Sequence, residues 1–296
     1  MAFDNEDTVV GTEAFHLKNY DDLTFADDFM FCRVLTERPD LCRDLVEVIT
    51  GRKVNQIKNL VAQMSEKEYY DGKGVRFDVY FEDDEETVYD FEMQTVLKDN
   101  LPRRVRYYQS MIDTKHLRAG KLYETLPDSY IVFICLEDPF DEDLYKYTFH
   151  ELCEEEPDLA LDDGKTSIFL NAASSKMKDG ELKDFLLYVG KNTVCSELTR
   201  KINDEVRKVI DDQSGRRFYM LLEEKLRDAQ NIGESLGVKL GVKRGVKLGR
   251  EQELVNNIDN LVLNMPCSLE HACRLLGSSV EEYYEAKGVD QQAVGK

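Results

Sequence analysis

Two acidic residues, Asp78 and Glu92, occupy segments of alternating polarity on either side of a short acidic loop. Residues 75–82 and 88–94 each alternate apolar and polar side chains, which is typical of half-buried β-strands. In the first segment, the residues expected to share one face are Val75, Phe77, Val79 and Phe81. If residues 83–87 close a hairpin, the numbers of paired residues sum to 170 and Asp78 lies opposite Glu92. Directly opposed residues have Cβ atoms roughly 4.5–5.5 Å apart.

Two carboxylates at that separation repel each other, so the pKa of one rises unless a cation intervenes. Mg²⁺ prefers carboxylate oxygens and commonly keeps water and a substrate phosphate as its other ligands. Such an ion can generate hydroxide, polarise phosphorus and stabilise a leaving oxygen. The alternative is the solvated face of an acidic hairpin, because 59 Asp and Glu residues make opposed acids common by chance.

A basic segment, residues 98–121, follows the second strand and carries seven Lys or Arg against two Asp, a local balance of +5 in a chain of net charge -20. Contact between basic side chains and phosphates is the main source of nucleic-acid affinity. Arg104 and Tyr108 are four residues apart and share a helical face, while Tyr107 is assigned to the core. The alternative is a solvated helix face with a buried tyrosine.

These residues together resemble the PD-(D/E)XK nuclease superfamily, and more closely its transposase-like, recombination-promoting nuclease branch. The motifs that carry the resemblance are Phe77-Asp78-Val79, Phe91-Glu92-Met93-Gln94, Arg104 and Tyr107-Tyr108. The opening segment 23–31 is also similar to the start of that branch. The likeness covers roughly residues 23–150.

The resemblance implies that Asp78 and Glu92 bind Mg²⁺ or Mn²⁺ and that the carbonyl of Met93 is a further ligand. Some members of the superfamily add an acid from the first helical region. Asp28 and Glu47 are both candidates for that ligand, and the sequence does not choose between them.

The resemblance also implies a function, metal-dependent hydrolysis of DNA phosphodiester bonds by an endodeoxyribonuclease in transposition or recombination. Asp78, Glu92 and Gln94 would be catalytic, with Arg104 and Tyr108 contacting DNA. Gln94 stands where the superfamily normally has Lys, and glutamine can orient a water molecule but has no charge. The alternative function is therefore a catalytically decayed nuclease-like module that acts in binding or oligomerisation.

The expected fold is α/β, with a restriction-endonuclease-like core of helix, three strands, helix and strand, followed by a helical C-terminal region. The strands are expected at 54–64, 75–82, 88–94 and 130–136, and the helices at 25–35, 41–50 with Asp40 as N-cap, 102–119 and 196–229. The predicted regions are an acidic lead-in (1–22), the nuclease-like core (23–175), a helical extension (176–230), a glycine-repeat linker or helix (231–250) and a small helical unit (251–296).

Glycine recurs every four residues from Gly233 to Gly249. Each glycine inside a helix costs roughly 1 kcal/mol relative to alanine. The repeat is therefore either a helix that packs closely through its glycine face or a mobile basic linker. The terminal helices form either a simple helical cap or a small partner-binding or helix-turn-helix-like unit. A homo-oligomer would form through these C-terminal helices.

The seven cysteines include no C-x-x-C pair, and the four histidines are scattered. This pattern predicts reduced thiols in a reducing compartment and argues against a His/Cys zinc site. The acidic N-terminus lacks the order of a signal peptide, and the longest apolar run, 130–136, is far too short to cross a bilayer. We expect a cytoplasmic protein without a membrane partner.

Overall fold

The computed structural model describes residues 18–66, 73–96 and 100–288. The strands in these ranges are β1 (Ile57–Glu66), β2 (Val75–Asp83), β3 (Val88–Gln94), β4 (Ser129–Cys135), β5 (Lys146–Phe149) and β6 (Lys165–Asn171). The helices are α1 (Asp28–Glu37), α2 (Pro39–Thr50), α3 (Leu101–His116), α4 (Glu181–Lys191), α5 (Glu197–Asp211), α6 (Gln213–Asn264), α7 (Leu269–Leu275) and α8 (Val280–Lys287). The chain divides into two compact units, Met1–Tyr219 and Met220–Lys296.

All six strands form one mixed sheet in the order β1-β2-β3-β4-β6-β5. Strands β1 to β3 are antiparallel neighbours, β3, β4 and β6 run parallel, and β5 is an antiparallel edge strand. The predicted α/β class with a helical C-terminal region is confirmed. The pairing of β2 with β3 also has the predicted register, because Val79 pairs with Phe91 and Tyr80 pairs with Asp90.

The predicted set of β2 residues that share one face of the strand is wrong in part. Phe77 and Val75 lie in the same buried cluster as Tyr80, although Phe77 and Tyr80 are three residues apart. The Phe77 ring lies 5.8 Å from the Tyr80 ring and 5.2 Å from the Tyr108 ring. A regular strand sends such residues to opposite faces, so the alternation is interrupted next to Asp78.

Helices cover the sheet on both faces. The central strand β4 has buried side chains on both of its faces. On one face, Ile131 and Phe133 pack in the buried cluster beneath α3. Helices α1 and α2 contact β1, and α5 contacts α1 and α2. A strand buried on both faces reads as a continuous apolar run, which explains why the sequence pattern of β4 was clear.

Two helix ends differ from the sequence-based expectation. Asp40 is not the N-cap of α2, because Arg38 takes that position and Pro39 opens the helix. The predicted end of this helix at residue 50 is confirmed, because Gly51 follows as the C-cap with a left-handed φ of 77°. The predicted helix over 196–229 is two helices, since the chain turns at Asp212, whose side chain accepts hydrogen bonds from the two backbone N–H groups of Ser214 and Gly215.

The second unit contains the C-terminal part of α6 together with α7 and α8. Its buried cluster is small and consists of Val255, Ile258, Ala272, Cys273 and Tyr283. The glycine repeat is helical within α6, and an added Cβ at Gly233, Gly237, Gly241, Gly245 or Gly249 would meet nothing within 4 Å. Within the described ranges, every helix is too short or too polar to span a membrane.

Candidate active site

Where β2 and β3 meet, the side chains of Asp78 and Glu92 each accept a hydrogen bond from the backbone of the other strand. The backbone N–H of Asp78 donates to Glu92 Oε1 at 2.9 Å. In return, the backbone N–H of Met93 donates to Asp78 Oδ2 at 3.1 Å. Both side chains are buried, with residue exposures of 7% for Asp78 and 0% for Glu92. The hairpin therefore holds two carboxylates together in a position largely shielded from bulk water.

Arg104 in the first turns of α3 covers this pair. Its guanidinium donates to the Glu92 carboxylate, to Gln94 Oε1 at 2.9 Å and to the Tyr108 hydroxyl at 2.9 Å. The guanidinium carbon also lies 4.9 Å from the centre of the Tyr108 ring and 5.1 Å from that of Phe133. Burial opposes the charge on Arg104, but Glu92 and then Tyr108 outweigh it, so the pKa of Arg104 stays above its ordinary value.

A third buried acid, Asp90, belongs to the same group. Asp90 is 0% exposed, and neither of its carboxylate oxygens has a hydrogen-bond partner among the described residues. Burial and then the neighbouring charges of Glu92 and Asp78 raise its pKa well above the ordinary range. Unpartnered buried carboxylates are rare because desolvation is costly. The sequence pattern alone did not indicate this role, although the alternation in β3 already places Asp90 on the same face as Glu92.

The acids raise one another's pKa values. Burial and then the charge of Asp28 raise the pKa of Asp78. Burial and then the charge of Asp78 raise the pKa of Glu92. The Arg104 guanidinium acts in the opposite direction on both carboxyl groups but does not cancel the effect of burial. Perturbations of this kind cluster at functional sites.

Of the two first-region acids, the structure brings Asp28 to the site. Single ligand atoms of Asp28, Cys32 and Asp78 all lie within 4.8 Å of one another. Glu47 instead lies on α2, where its Oε1 accepts from the Val54 backbone N–H at 3.4 Å. Cys32 was missed in the sequence, although its spacing of four residues from Asp28 on a helix was a usable signal.

The two adjacent tyrosines of α3 have the reverse of their expected surroundings. Tyr108 is buried, and Tyr107, which was assigned to the core, is 37% exposed. Tyr108 packs in the α3 cluster and donates its hydroxyl hydrogen to the Arg76 carbonyl at 3.3 Å. The structure therefore gives Tyr108 a place behind Arg104, and its contact with DNA stays a prediction.

The residues present fit a hard divalent cation. Asp78 and Glu92 offer carboxylate oxygens, which are the preferred ligands of Mg²⁺ and Mn²⁺. A dication relieves the repulsion between these two acids. It also offsets the negative charge of Asp90, whose carboxylate has no hydrogen-bond partner among the described residues. Each carboxylate oxygen that already accepts one hydrogen bond keeps further lone-pair capacity. The predicted role of the Met93 carbonyl as a ligand stays a prediction.

These features define a mixed α/β protein with two buried acids on a β-hairpin and an arginine on the following helix. Residues 26–189 match the family model described as PD-(D/E)XK nuclease family transposase. The match covers more than half of the chain, so the protein belongs to this family. No curated protein and no solved structure matched the chain.

Proposed function

We propose that the protein is a metal-dependent DNA endonuclease that hydrolyses phosphodiester bonds in a transposition or recombination reaction. The observation that carries the proposal is a pair of hydrogen bonds that holds both acids on the hairpin. The Asp78 backbone N–H donates to Glu92, and the Met93 backbone N–H donates to Asp78. Membership of the nuclease family supports the same reaction.

Asp78 and Glu92 would hold Mg²⁺ or Mn²⁺, with the Met93 carbonyl as a further ligand. Such an ion supplies Lewis acidity and lowers the pKa of a bound water molecule. Gln94, adjacent in sequence to Met93 and buried beside Arg104, would orient the attacking water through its amide. The exposed basic side chains of α3, including Arg103 and Arg106, lie on the same helix as Arg104 and would contact the DNA backbone.

Arg104 supplies the positive charge that glutamine at position 94 lacks. Its guanidinium donates to Gln94 Oε1, so a positive charge stands beside the position where the superfamily has lysine. In a shielded site, a fixed positive charge stabilises negative charge that develops on a phosphate. Arg104 would thereby supply the electrostatic part of the missing lysine's role.

The test is nicking of supercoiled plasmid DNA by the full chain with Mg²⁺ or Mn²⁺. We expect wild type to nick only with added metal, and Asp78→Asn to lose activity by about 100-fold or more, as when a group that acts in the transition state is removed. Glu86→Gln is the matched control, because Glu86 is an exposed acid in the loop of the same hairpin. Equal nicking by wild type and Asp78→Asn would end the assigned mechanism.

A second candidate function is binding without cleavage, as in a decayed nuclease core. The observation that favours it is the ion pair between Arg104 and Glu92, which gives this acid a cationic partner from the protein itself. Isothermal titration with Mn²⁺ separates the candidates. Mn²⁺ binding that Asp78→Asn abolishes supports the nuclease, whereas absence of binding to wild type supports the decayed module.

A further inference from the structure

A cavity that contains none of the residues of the candidate active site opens between α3 and the outer strands of the sheet. Its volume of about 680 Å³ is within the usual range of small-molecule sites. Its floor is one face of β6, since Lys165, Ser167 and Phe169 alternate along this strand and all line the cavity. Phe149 pairs with Ser167 across the ladder of β5 and β6 and extends the floor to the edge strand.

One end of the cavity is aromatic. The ring of Phe140 lies 5.2 Å from that of Phe149 and 5.0 Å from that of Phe169. Phe169 is buried, whereas Phe149 is 45% exposed although it is large and apolar. The Phe149 ring is therefore held by two other rings and keeps an accessible surface. Exposed aromatic rings are surfaces on which nucleobases stack, because every base has a π-face.

The polar groups of the cavity keep hydrogen-bonding capacity that the protein does not use. Ser167 is only 7% exposed, and its hydroxyl has no hydrogen-bond partner among the described residues. Asp113 accepts one side-chain hydrogen bond, from the Gln109 amide to Oδ1 at 2.8 Å, so Oδ2 has no partner within the same ranges. Gln109 is itself fixed, because its Oε1 accepts from the Ser129 hydroxyl at 3.0 Å. Burial raises the pKa of Asp113 above its ordinary value, so a ligand that donates to this carboxyl group offsets part of its desolvation.

One cationic side chain at the cavity is available to a phosphate. Arg106 lines the cavity from α3 and is exposed, and no acid in the described part of the chain forms an ion pair with it. Lys165, by contrast, is already bound by Glu151 and Asp163. The helical period of about 3.6 residues places Arg104 on the flank of α3 opposite Arg106. The width of this helix, roughly 10–12 Å, therefore separates the candidate active site from the cavity.

We propose that this cavity binds one unpaired base of the DNA strand that crosses α3. The base would stack on Phe149, an amino group of the base would donate to Asp113, and Arg106 would contact the backbone phosphate. The Ser167 hydroxyl would donate to an acceptor atom of the same base. Proteins that act on extruded or single-stranded bases recognise them by this combination of stacking and hydrogen bonds to the base edge.

The chemistry of the cavity also predicts which base is preferred. An ionised carboxylate only accepts hydrogen bonds, and it is a suitable partner for the amino group of cytosine. Thymine has a carbonyl oxygen in place of that amino group, so we expect cytosine to bind more tightly than thymine. The inference rests on the proposed function, because DNA is taken as the nucleic acid, and it adds a requirement for an unpaired nucleotide.

The test is the fluorescence anisotropy of short labelled oligodeoxycytidine and oligodeoxythymidine with the full chain, at physiological salt and without metal. Phe149→Ala should weaken binding of oligodeoxycytidine by about 5- to 150-fold, the range for loss of one stacked base. Phe218→Ala is the matched control and should leave binding unchanged, because Phe218 is a half-exposed ring of the same compact unit that does not line the cavity. Equal affinities of wild type and Phe149→Ala overturn the proposal.

A second variant separates contact with the base from any effect on folding. Asp113→Asn keeps the shape of the side chain but adds a donor, so it should reduce the preference for oligodeoxycytidine over oligodeoxythymidine. This ratio does not depend on the fraction of protein that is folded. Equal binding of the two oligonucleotides by wild type, or an unchanged ratio in Asp113→Asn, overturns the proposal. Base-selective binding without nicking refutes the nuclease alone, and nicking without base-selective binding refutes the base site alone.

Discussion

Replacing Arg104 with methionine tests whether its guanidinium holds the buried acids together. Methionine keeps most of the aliphatic length, so the change removes chiefly the charge and the hydrogen bonds to Glu92, Gln94 and Tyr108. Removing one partner of a buried ion pair costs about 3–5 kcal/mol. The Arg104 side chain is 31% exposed and the Glu92 side chain 1% exposed. We therefore expect a loss of about 2–3 kcal/mol in the free energy of unfolding, below the fully buried case.

The assay is urea unfolding of metal-free protein at mildly alkaline pH, where the acids are most ionised. Near-UV circular dichroism is the suitable probe, because the chain has 15 tyrosines and no tryptophan. The double variant Arg104→Met with Glu92→Gln should recover about 1–2 kcal/mol, because the uncompensated charge is gone. Mn²⁺ should stabilise Arg104→Met more than wild type. A cost below about 0.5 kcal/mol, the range of ordinary surface substitutions, would refute the reasoning.

Three further predictions concern pH, the glycine repeat and DNA. Because the pKa values of Asp78 and Glu92 are raised from their ordinary 3.8 and 4.5, the folded state binds more protons, and stability should fall as pH rises from those values towards the raised ones. Glu92→Gln should remove up to about 1.4 kcal/mol per pH unit of that slope, measured by urea unfolding across pH. Gly237→Ala with Gly241→Ala should stabilise α6 by about 1 kcal/mol per site, because the glycine face is solvated. If light scattering instead shows that the double variant loses a dimer that wild type forms, the glycine face is packed against a second chain. Arg106→Gln should weaken DNA binding and reduce the slope of log affinity against log salt by about 1, and an unchanged slope would remove Arg106 from the interface.

The hairpin was predictable because two local signals agree. Alternation fixes which residues of β3 share a face, and the length of the loop fixes the register, so Tyr80 opposite Asp90 follows from counting. The break in alternation beside Asp78 was not predictable from the residue types of β2, and a further irregularity lies on the neighbouring strand β1. Gln63 on β1 has a positive φ of 51°, and no residue type in that segment indicates it.

The position of α3 and the order of the sheet depend on contacts that are distant in sequence. Helical spacing of Val105, Tyr108 and Ile112 shows which tyrosine is buried, and reading that spacing would have placed Tyr107 outside. By contrast, β4 and β6 are both buried along most of their length, so their patterns do not show which strand lies between β4 and β5. Burial of Asp90 follows only from that assembled sheet.

Counting charges around the hairpin shows why one divalent ion suits the site. Four acids surround it, namely Asp28, Asp78, Asp90 and Glu92, and two arginines contact them. Arg76 lies 3.4 Å from Asp28 and Arg104 pairs with Glu92. Among the described residues, Asp78 and Asp90 have no ion-pair partner. If all four acids ionise, the formal balance is -2, the charge that one Mg²⁺ or Mn²⁺ neutralises. Without metal, the buried acids must instead retain protons, so metal binding and proton release should be coupled.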